Sequence, residues 1–282
     1  MLRHLLNLFN AQKRKLTGLF TTALALSLVL GNIQPAKAVP WIELLLRGAQ
    51  IVQLSSISPK QEVELGSQIN QELIDSGQIK ISNNQGINNY INGIGQELAK
   101  QSERPDIPYT FQVVEDDSIN AFATMGGYVY VNTGLIKKAD NEAELASVIG
   151  HEIGHIEGRH SLEQMKERAI AQGVLSAAGL DRSQAVQIGV ELAVNRSNSR
   201  SDELEADQFG LENIKGAGYA PSGMIGFMKK LLEQGSSVPT FLSTHPATSE
   251  RIERLQAEIP DSEANVGKGL DNQAYQNQIS AL

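Results

Sequence analysis

The stretch His151-Glu152-Ile153-Gly154-His155 decides how the rest of this 282-residue sequence is interpreted. On an α-helix each residue turns about 100° and rises about 1.5 Å, so His151 and His155 share one face about 6 Å apart. That separation suits two imidazoles that each lie about 2.0 Å from one Zn²⁺ ion. Glu152 lies off this pair but near enough to take a proton from an activated water. We therefore predict a zinc site ligated by His151 and His155, with Glu152 as the general base.

The positions of the other histidines indicate which of them could join this metal site. The chain has five His, and three of them fall within residues 151–160, while His4 lies near the N-terminus and His245 lies far downstream. His160 comes nine residues after His151, which is about 180° round the same helix. If that helix continues, we expect His160 not to share the metal.

A short acidic stretch offers the third ligand that a catalytic zinc site typically needs beside its water position. Glu203 and Asp207 are four residues apart and share a helix face, whereas Glu205 points about 200° away from Glu203. We predict that Glu203 ligates the metal and that Asp207 orients a ligand imidazole. Taken alone, such an acidic run is more typical of a solvated helix face.

Residues 1–38 have the pattern of a secretory signal peptide. A basic start precedes an uncharged apolar run over 16–30, and Ala36-Lys37-Ala38 fits the small residues before a signal-peptidase cut. The apolar run is short for a membrane span, which needs about 20 residues. The alternative is a retained N-terminal anchor. After cleavage, we expect no integral membrane span, and the remaining length suits one domain with a substantial core.

Charge and cysteine content exclude several classes of partner and fold. The formal charge is −8, and residues 1–38 carry five Lys or Arg and no Asp or Glu, so the cleaved chain would be more acidic still. Nucleic acid and anionic membrane surfaces are therefore not expected as partners. The chain has no Cys, so it forms no disulfides and depends on its core and any bound metal for stability.

The hydrophobic periodicity predicts an α+β domain, mainly helical, with a small β-sheet beside the helix that carries the motif. We interpret 39–58 as a leader that packs as a helix or stays loose, 59–260 as the domain, and 261–282 as a polar, mobile tail. The predicted helices cover 61–76, 84–101, a segment starting near 141, 162–178, 183–194 and 201–214. The predicted strands cover 109–115, 120–124 and 128–132, the last two joined as a hairpin at Gly126-Gly127.

Nine short motifs occur in a fixed order along the chain. They are Asn120-Ala121-Phe122-Ala123, Gly126-Gly127, Gly134-Leu135, Glu144-Leu145-Ala146, His151–His155, Arg159-His160, Ser199-Arg200, Glu203-x-x-Ala206-Asp207 and Thr244-His245-Pro246. This order resembles that of the HtpX, CaaX prenyl protease and BepA gluzincin metallopeptidases, over roughly residues 58–258. The resemblance implies a zincin-like fold and one Zn²⁺ per chain, held by His151, His155 and Glu203.

The same resemblance implies further roles. Asp207 matches the partner of a ligand histidine, and His245 matches a residue that approaches the zinc, either as a reversible fourth ligand or as a catalytic donor to the developing oxyanion. The stretch Asn120, Ala121 and Phe122 is similar to an edge strand that binds extended substrate through main-chain hydrogen bonds. The alternative for this stretch is a hairpin enclosed within the sheet.

The chain lacks the hydrophobic spans of the integral-membrane members, so it resembles the exported, soluble branch that includes BepA and LoiP. The resemblance implies a zinc endopeptidase that hydrolyses unfolded, damaged or misassembled proteins in the periplasm or another extracytoplasmic space. It further implies a place in envelope protein quality control and an association with the envelope assembly machinery. The alternative is a zinc-latched chaperone or assembly factor in which His245 closes the fourth position and suppresses hydrolysis.

Overall fold

The computed structural model describes residues 51–174, 176, 179–195, 198–233, 240–246 and 249–282. The predicted signal peptide and residues 39–50 of the leader lie outside the described residues. The strands are β1 (Ile51–Val52), β2 (Thr110–Val114), β3 (Ala121–Thr124), β4 (Tyr128–Asn132) and β5 (Leu180–Asp181). The helices are α1 (Pro59–Asp75), α2 (Gln85–Ala99), α3 (Thr133–Lys138), α4 (Glu142–Glu157), α5 (His160–Ala171), α6 (Arg182–Asn195), α7 (Arg200–Gly216), α8 (Ser222–Leu232), α9 (Thr240–Thr244), α10 (Ser249–Glu258), α11 (Asp261–Ala264) and α12 (Asn272–Ile279).

The main sheet has three strands in the order β2-β4-β3. β2 runs parallel to β4, and β3 pairs with β4 antiparallel, which confirms the predicted hairpin. The turn between them contains Gly126 and Gly127 with φ of 79° and 97°, a left-handed conformation that favours glycine. The small mixed sheet among many helices confirms the predicted α+β, mainly helical fold.

Helix α4 carries the HExxH motif through the centre of the domain. The Asn141 side chain caps its N-terminus by accepting from the Glu144 backbone N–H, and Glu142 and Glu144 lie in the first turn, where the helix dipole favours negative charge. Every residue from Ala143 to Glu157 is buried. A helix that is buried on all sides is held by its neighbours, so the motif is fixed by tertiary packing rather than by helix propensity.

Helix α7 packs against α4 at very short range because small residues line both helices. A Cβ on Gly154 would lie 2.6 Å from the Ala206 carbonyl oxygen, and a Cβ on Gly210 would lie 3.0 Å from the His151 Cα. Backbone therefore touches backbone where the two helices cross. This close approach places the acidic stretch of α7 beside the two histidines of α4.

A buried ion cluster fixes the C-terminal end of α4. Glu62 of α1, only 1% exposed, accepts from the Arg104 guanidinium at 3.0 and 2.9 Å and pairs with Arg159 at 2.8 Å. Arg104 also donates to the Ile156 carbonyl at 2.7 Å. Arg159 adopts a left-handed φ of 56°, which ends the helix and turns the chain into α5.

Three segments differ from their sequence-based expectations. The described end of the leader forms β1, which pairs antiparallel with β5, rather than a helix. The helix predicted over 162–178 ends at Ala171, because Gly173 adopts a left-handed φ of 68° after it. Residues 261–282, expected to form a mobile tail, include α11 and α12, and Tyr275 is buried and donates to the Ile136 carbonyl at 2.6 Å. Two buried side chains in α12 were too few to produce a readable periodicity.

Between residues 51 and 282, none of the helices that the structure describes is long and apolar enough to cross a membrane.

Candidate metal centre

Four buried side chains converge where α4, α7 and the segment after α9 meet: His151, His155, Glu203 and His245. The Nε2 atoms of His151 and His155 are 3.1 Å apart, and each lies 3.2 Å from Nδ1 of His245. Oε1 of Glu203 is 3.1 Å from His245 Nδ1 and 3.4 Å from His155 Nε2. The three ligands predicted from the sequence are therefore brought together, with His245 as a fourth member.

The spacing of these atoms fits a zinc ion. A regular tetrahedron with edges of about 3.2 Å has its centre about 2.0 Å from each corner, which is the usual Zn–N and Zn–O distance. Three imidazoles and one carboxylate are ligand types that Zn²⁺ prefers in proteins. The donor set and its spacing thus match zinc, and a larger hard cation such as Ca²⁺ would require more oxygen ligands.

Glu152 lies beside the cluster and is not part of it. Its side chain is 0% exposed, and among the described residues neither carboxylate oxygen has a hydrogen-bond partner of good geometry. His245 Nε2 lies 3.3 Å from its Oε1. A fully buried carboxylate without a hydrogen-bond partner is costly, so its position requires an explanation outside packing.

Asp207 supports His151 from behind. Its Oδ1 lies 2.9 Å from His151 Nδ1, which leaves Nε2 of the same ring facing the cluster. Arg251 of α10 donates to both Asp207 oxygens at 2.6 Å, to Glu203 Oε2 at 2.5 Å and to the Pro246 carbonyl at 3.0 Å. One buried guanidinium therefore ties together the third ligand, the support of the first ligand and the chain beside His245.

These contacts shift the titration of the buried groups. Burial alone would lower the pKa of His151, but the contacts with Asp207 and Glu203 outweigh it and raise that pKa to about 9. Burial opposes ionisation of Glu203, but the surrounding histidines hold its pKa well below the usual value. Burial likewise opposes ionisation of Asp207, and Arg251 and His151 outweigh it, so its pKa is lowered. The carboxylates are therefore held in the ionised form that a cation requires.

Aromatic stacking and hydrogen bonds of the described residues hold the chain around His245. The ring stacks on Phe241 with centroids 4.6 Å apart, and Asn198 Nδ2 lies 3.1 Å from His245 Nδ1. The backbone is held by hydrogen bonds from Asn198 N to the Thr244 carbonyl and from Phe241 N to the Ile119 carbonyl. Residues 234–239, which precede this segment, lie outside the described residues.

The predicted substrate strand lies at one edge of the three-stranded sheet and contacts α4. Asn120 immediately precedes β3, Ala121 is buried, and Phe122 is half-buried and stacks on Tyr130 with centroids 4.4 Å apart. Helix α6 contacts the same strand. β3 is the outermost strand of its sheet, and helices pack against it.

His160 is not among the four converging side chains, as expected, but the continuous helix assumed for it is not found, because α4 ends at Glu157. The chain reverses at Arg159, and Nδ1 of His160 comes to lie 2.8 Å from Nδ1 of His155. Sequence reasoning also missed Arg251 and Asn198. Arg159 and His160 form one of the motifs shared with the family, but no local sequence pattern predicts the left-handed conformation of Arg159. No local pattern predicts the burial of Arg251 either.

Comparison with known proteins agrees with this geometry. The family model described as Peptidase family M48 matches residues 87–259. The chain is 30% identical over 214 residues to the beta-barrel assembly-enhancing protease of Escherichia coli, covering 70% of this chain but 44% of that protein. It is 31% identical over 227 residues to the metalloprotease LoiP of E. coli, covering 76% of this chain and 86% of LoiP. The chain thus spans less than half the length of the beta-barrel assembly-enhancing protease, and it belongs to the M48 family of metallopeptidases.

Proposed function

We propose that this metalloprotease is a zinc endopeptidase of unfolded, damaged or misassembled proteins, and that it acts in the periplasm or another extracytoplasmic space. The observation that carries the catalytic part is the buried Glu152 carboxylate, which has no described hydrogen-bond partner and lies beside a tetrahedral set of zinc-type ligands. The compartment and the quality-control role draw support from the similarity to LoiP and to the beta-barrel assembly-enhancing protease, and from the signal-like residues 1–38.

In this proposal each residue has a distinct role. His151, His155 and Glu203 hold one Zn²⁺ per chain, which supplies a Lewis acid that polarises the scissile carbonyl and acidifies water. Glu152 accepts the proton of the attacking water and returns it to the leaving amine. Asp207 keeps the His151 ring in the tautomer that leaves Nε2 free for the metal.

Substrate access requires a change at His245. All four cluster side chains and Glu152 are buried, and His245 occupies the corner of the tetrahedron that a catalytic zinc leaves open. We infer that this arrangement is a resting form and that a substrate peptide displaces His245. The extended peptide would then add to the free edge of β3 at Asn120, Ala121 and Phe122, using main-chain hydrogen bonds that tolerate many sequences.

A second candidate function draws on the same fourth ligand. A closed site with four protein ligands is typical of structural zinc, as in a chaperone or assembly factor with little proteolytic activity. Glu152 argues against it, because a structural site gives no purpose to a buried carboxylate without a partner.

The deciding experiment is digestion of casein by the full chain with o-phenanthroline or with its non-chelating isomer m-phenanthroline. We expect cleavage that only the chelating isomer stops and that added Zn²⁺ restores. Zinc-loaded protein that cleaves neither casein nor a denatured envelope protein would favour the chaperone candidate. Digestion that both isomers leave unchanged would rule out a metal-dependent reaction.

A further inference from the structure

A second imidazole holds His155 from behind. Nε2 of His155 faces the metal cluster, and its other ring nitrogen, Nδ1, lies 2.8 Å from Nδ1 of His160. Nε2 of His160 in turn lies 3.1 Å from Oε2 of Glu205. The three side chains form a line from the buried cluster to the surface, where 55% of the Glu205 side chain is exposed.

If His155 binds a metal, the hydrogen bonds along this line can run in only one direction from donor to acceptor. His155 can bind a cation through Nε2 only if that atom carries no proton, so the neutral ring carries its proton on Nδ1. The Nδ1–H group then donates to His160, whose Nδ1 must be the acceptor. His160 consequently carries its own proton on Nε2 and donates it to the Glu205 carboxylate. This one protonation pattern satisfies the hydrogen bond from His155 to His160 and the one from His160 to Glu205, and it leaves the lone pair of His155 Nε2 for the metal.

The local backbone is built to bring His160 back against the helix. The left-handed Arg159 reverses the chain after α4, and Gly158 leaves the space that the returning ring needs. A Cβ on Gly158 would lie 2.4 Å from His160 Nε2, although the φ of Gly158 is an ordinary helical −69°. The glycine is therefore required by the ring and not by the backbone conformation.

We propose that His160 and Glu205 are positioning residues that fix the tautomer and the ring orientation of His155 for metal binding. This inference rests on the proposed zinc site and assigns a role to two residues outside it. Metal-bound histidines almost always donate their second ring N–H to an acceptor that fixes the ring. Asp207 does this for His151 in one step, whereas His155 is served by the two-step line through His160.

The first test separates this role from simple packing. His160→Phe keeps a buried planar ring but removes both ring nitrogens. We expect the zinc affinity of the full chain, measured by competition with a fluorescent chelator, to fall roughly 10- to 100-fold. Glu212→Ala is the control, because Glu212 is an exposed carboxylate on α7, the helix that carries Glu205, and it should leave the affinity unchanged. Equal affinity of His160→Phe and wild type, at equal melting temperatures of the metal-free proteins, would overturn the proposal.

The surface member of the line provides a variant with little risk of misfolding. Glu205→Gln removes the charged acceptor at an exposed position, and we expect zinc affinity to fall roughly two- to fivefold, the scale of an exposed charged contact. Should His160→Phe fail to fold, this variant and the tautomer measurement described next decide the question. An affinity equal to that of Glu212→Ala would remove Glu205 from the line.

The second test reads the protonation pattern directly. Long-range ¹H–¹⁵N correlation spectra of the zinc-loaded protein distinguish rings protonated on Nδ1 from rings protonated on Nε2. We expect His155 to carry its proton on Nδ1 and His160 on Nε2. A proton on Nδ1 of His160 would overturn the proposal, since that atom could not then accept from His155. Wild-type protein that binds no zinc would instead overturn the proposed function, so the two failures are distinguishable.

Discussion

Helices α4 and α7 and the segment 240–246 contribute to the same metal centre, but they are attached to the protein in different ways. The two helices touch backbone to backbone at Gly154 and Gly210, so they cannot separate without losing much of the central packing. The segment is held mainly by stacking and by single hydrogen bonds at Phe241, Thr244 and Pro246. Each such hydrogen bond contributes about 0.5–1.5 kcal/mol. The segment also buries Phe241, so its release costs more than these hydrogen bonds alone but less than separating the two helices.

This difference separates metal retention from access. The ligands that need fixed geometry come from the elements that cannot move apart, and the residue at the fourth corner comes from the element that can be released. The comparison predicts that damage to the helix pair removes the metal, whereas damage to the segment changes the rate of cleavage.

The largest effect is expected from Glu203→Ala, because it removes a ligand from the rigid helix pair. Zinc affinity should fall by more than the roughly 10- to 100-fold that is typical of a supporting residue, and proteolysis should be lost with it. Metal analysis after dialysis measures this, with Glu212→Ala as the control on the same helix. Full zinc content in Glu203→Ala would show that the third ligand lies elsewhere.

Glu152→Gln should separate catalysis from metal binding on the other rigid helix. We expect kcat to fall roughly 10²- to 10⁴-fold, the contribution of a general base, while about one zinc per chain is retained. The amide has nearly the shape of the carboxylate but cannot accept the proton. Parallel loss of zinc and activity would mean that Glu152 supports the metal and does not handle protons.

Asp207→Ala should have an intermediate effect of roughly 10- to 100-fold on zinc affinity, because His151 loses the group that fixes its ring. The single variant also leaves the Arg251 guanidinium buried with one carboxylate fewer, which by itself destabilises the protein. The double variant Asp207→Ala/Arg251→Met removes that cation as well. We expect the double variant to regain melting temperature but not zinc affinity. Recovery of both would show that the carboxylate acts only as a counter-ion.

His245→Ala, in the segment 240–246, is the variant for which two roles predict effects of opposite sign. If His245 restrains the enzyme, basal cleavage of an unfolded substrate should rise, since the fourth position becomes free for water. If it instead stabilises the oxyanion, kcat should fall roughly 10²- to 10³-fold with zinc retained. Its position at the fourth corner of the cluster favours an increase. Ser243→Ala, at an exposed site on α9, is the control, and an unchanged rate in His245→Ala would reject both roles.

The sequence predicted which side chains on regular helices converge, and it did not predict the contacts that depend on chain reversal. His151, His155, Glu203 and Asp207 could be placed on faces because helical spacing is regular. His160 could not, because its approach to His155 depends on a left-handed Arg159 that a continuous helix would not contain. Arg251 lies 44 residues from its partner Asp207 in the sequence, and no local sequence pattern predicts that a charged side chain will be buried. Helix α12 was not predicted for a related reason: Tyr275 and Ile279 are its only buried residues, and two apolar positions do not give a recognisable helical period.

The ion cluster around Glu62 has a consequence for the conditions under which the enzyme keeps its geometry. At about 0.1 M salt, mobile ions largely screen the interaction between exposed charges that lie more than about 10 Å apart. They screen buried pairs much less. The Glu62 carboxylate is 1% exposed and its partner Arg104 is 17% exposed, whereas the surface pair of Lys80 and Glu115 is 74% and 35% exposed. The end of the helix that carries both metal-binding histidines should therefore stay in place when the ionic strength around the protein rises or falls. We therefore expect the geometry of the active site to change little with salt concentration, because the ion pair between Glu62 and Arg104 is largely buried.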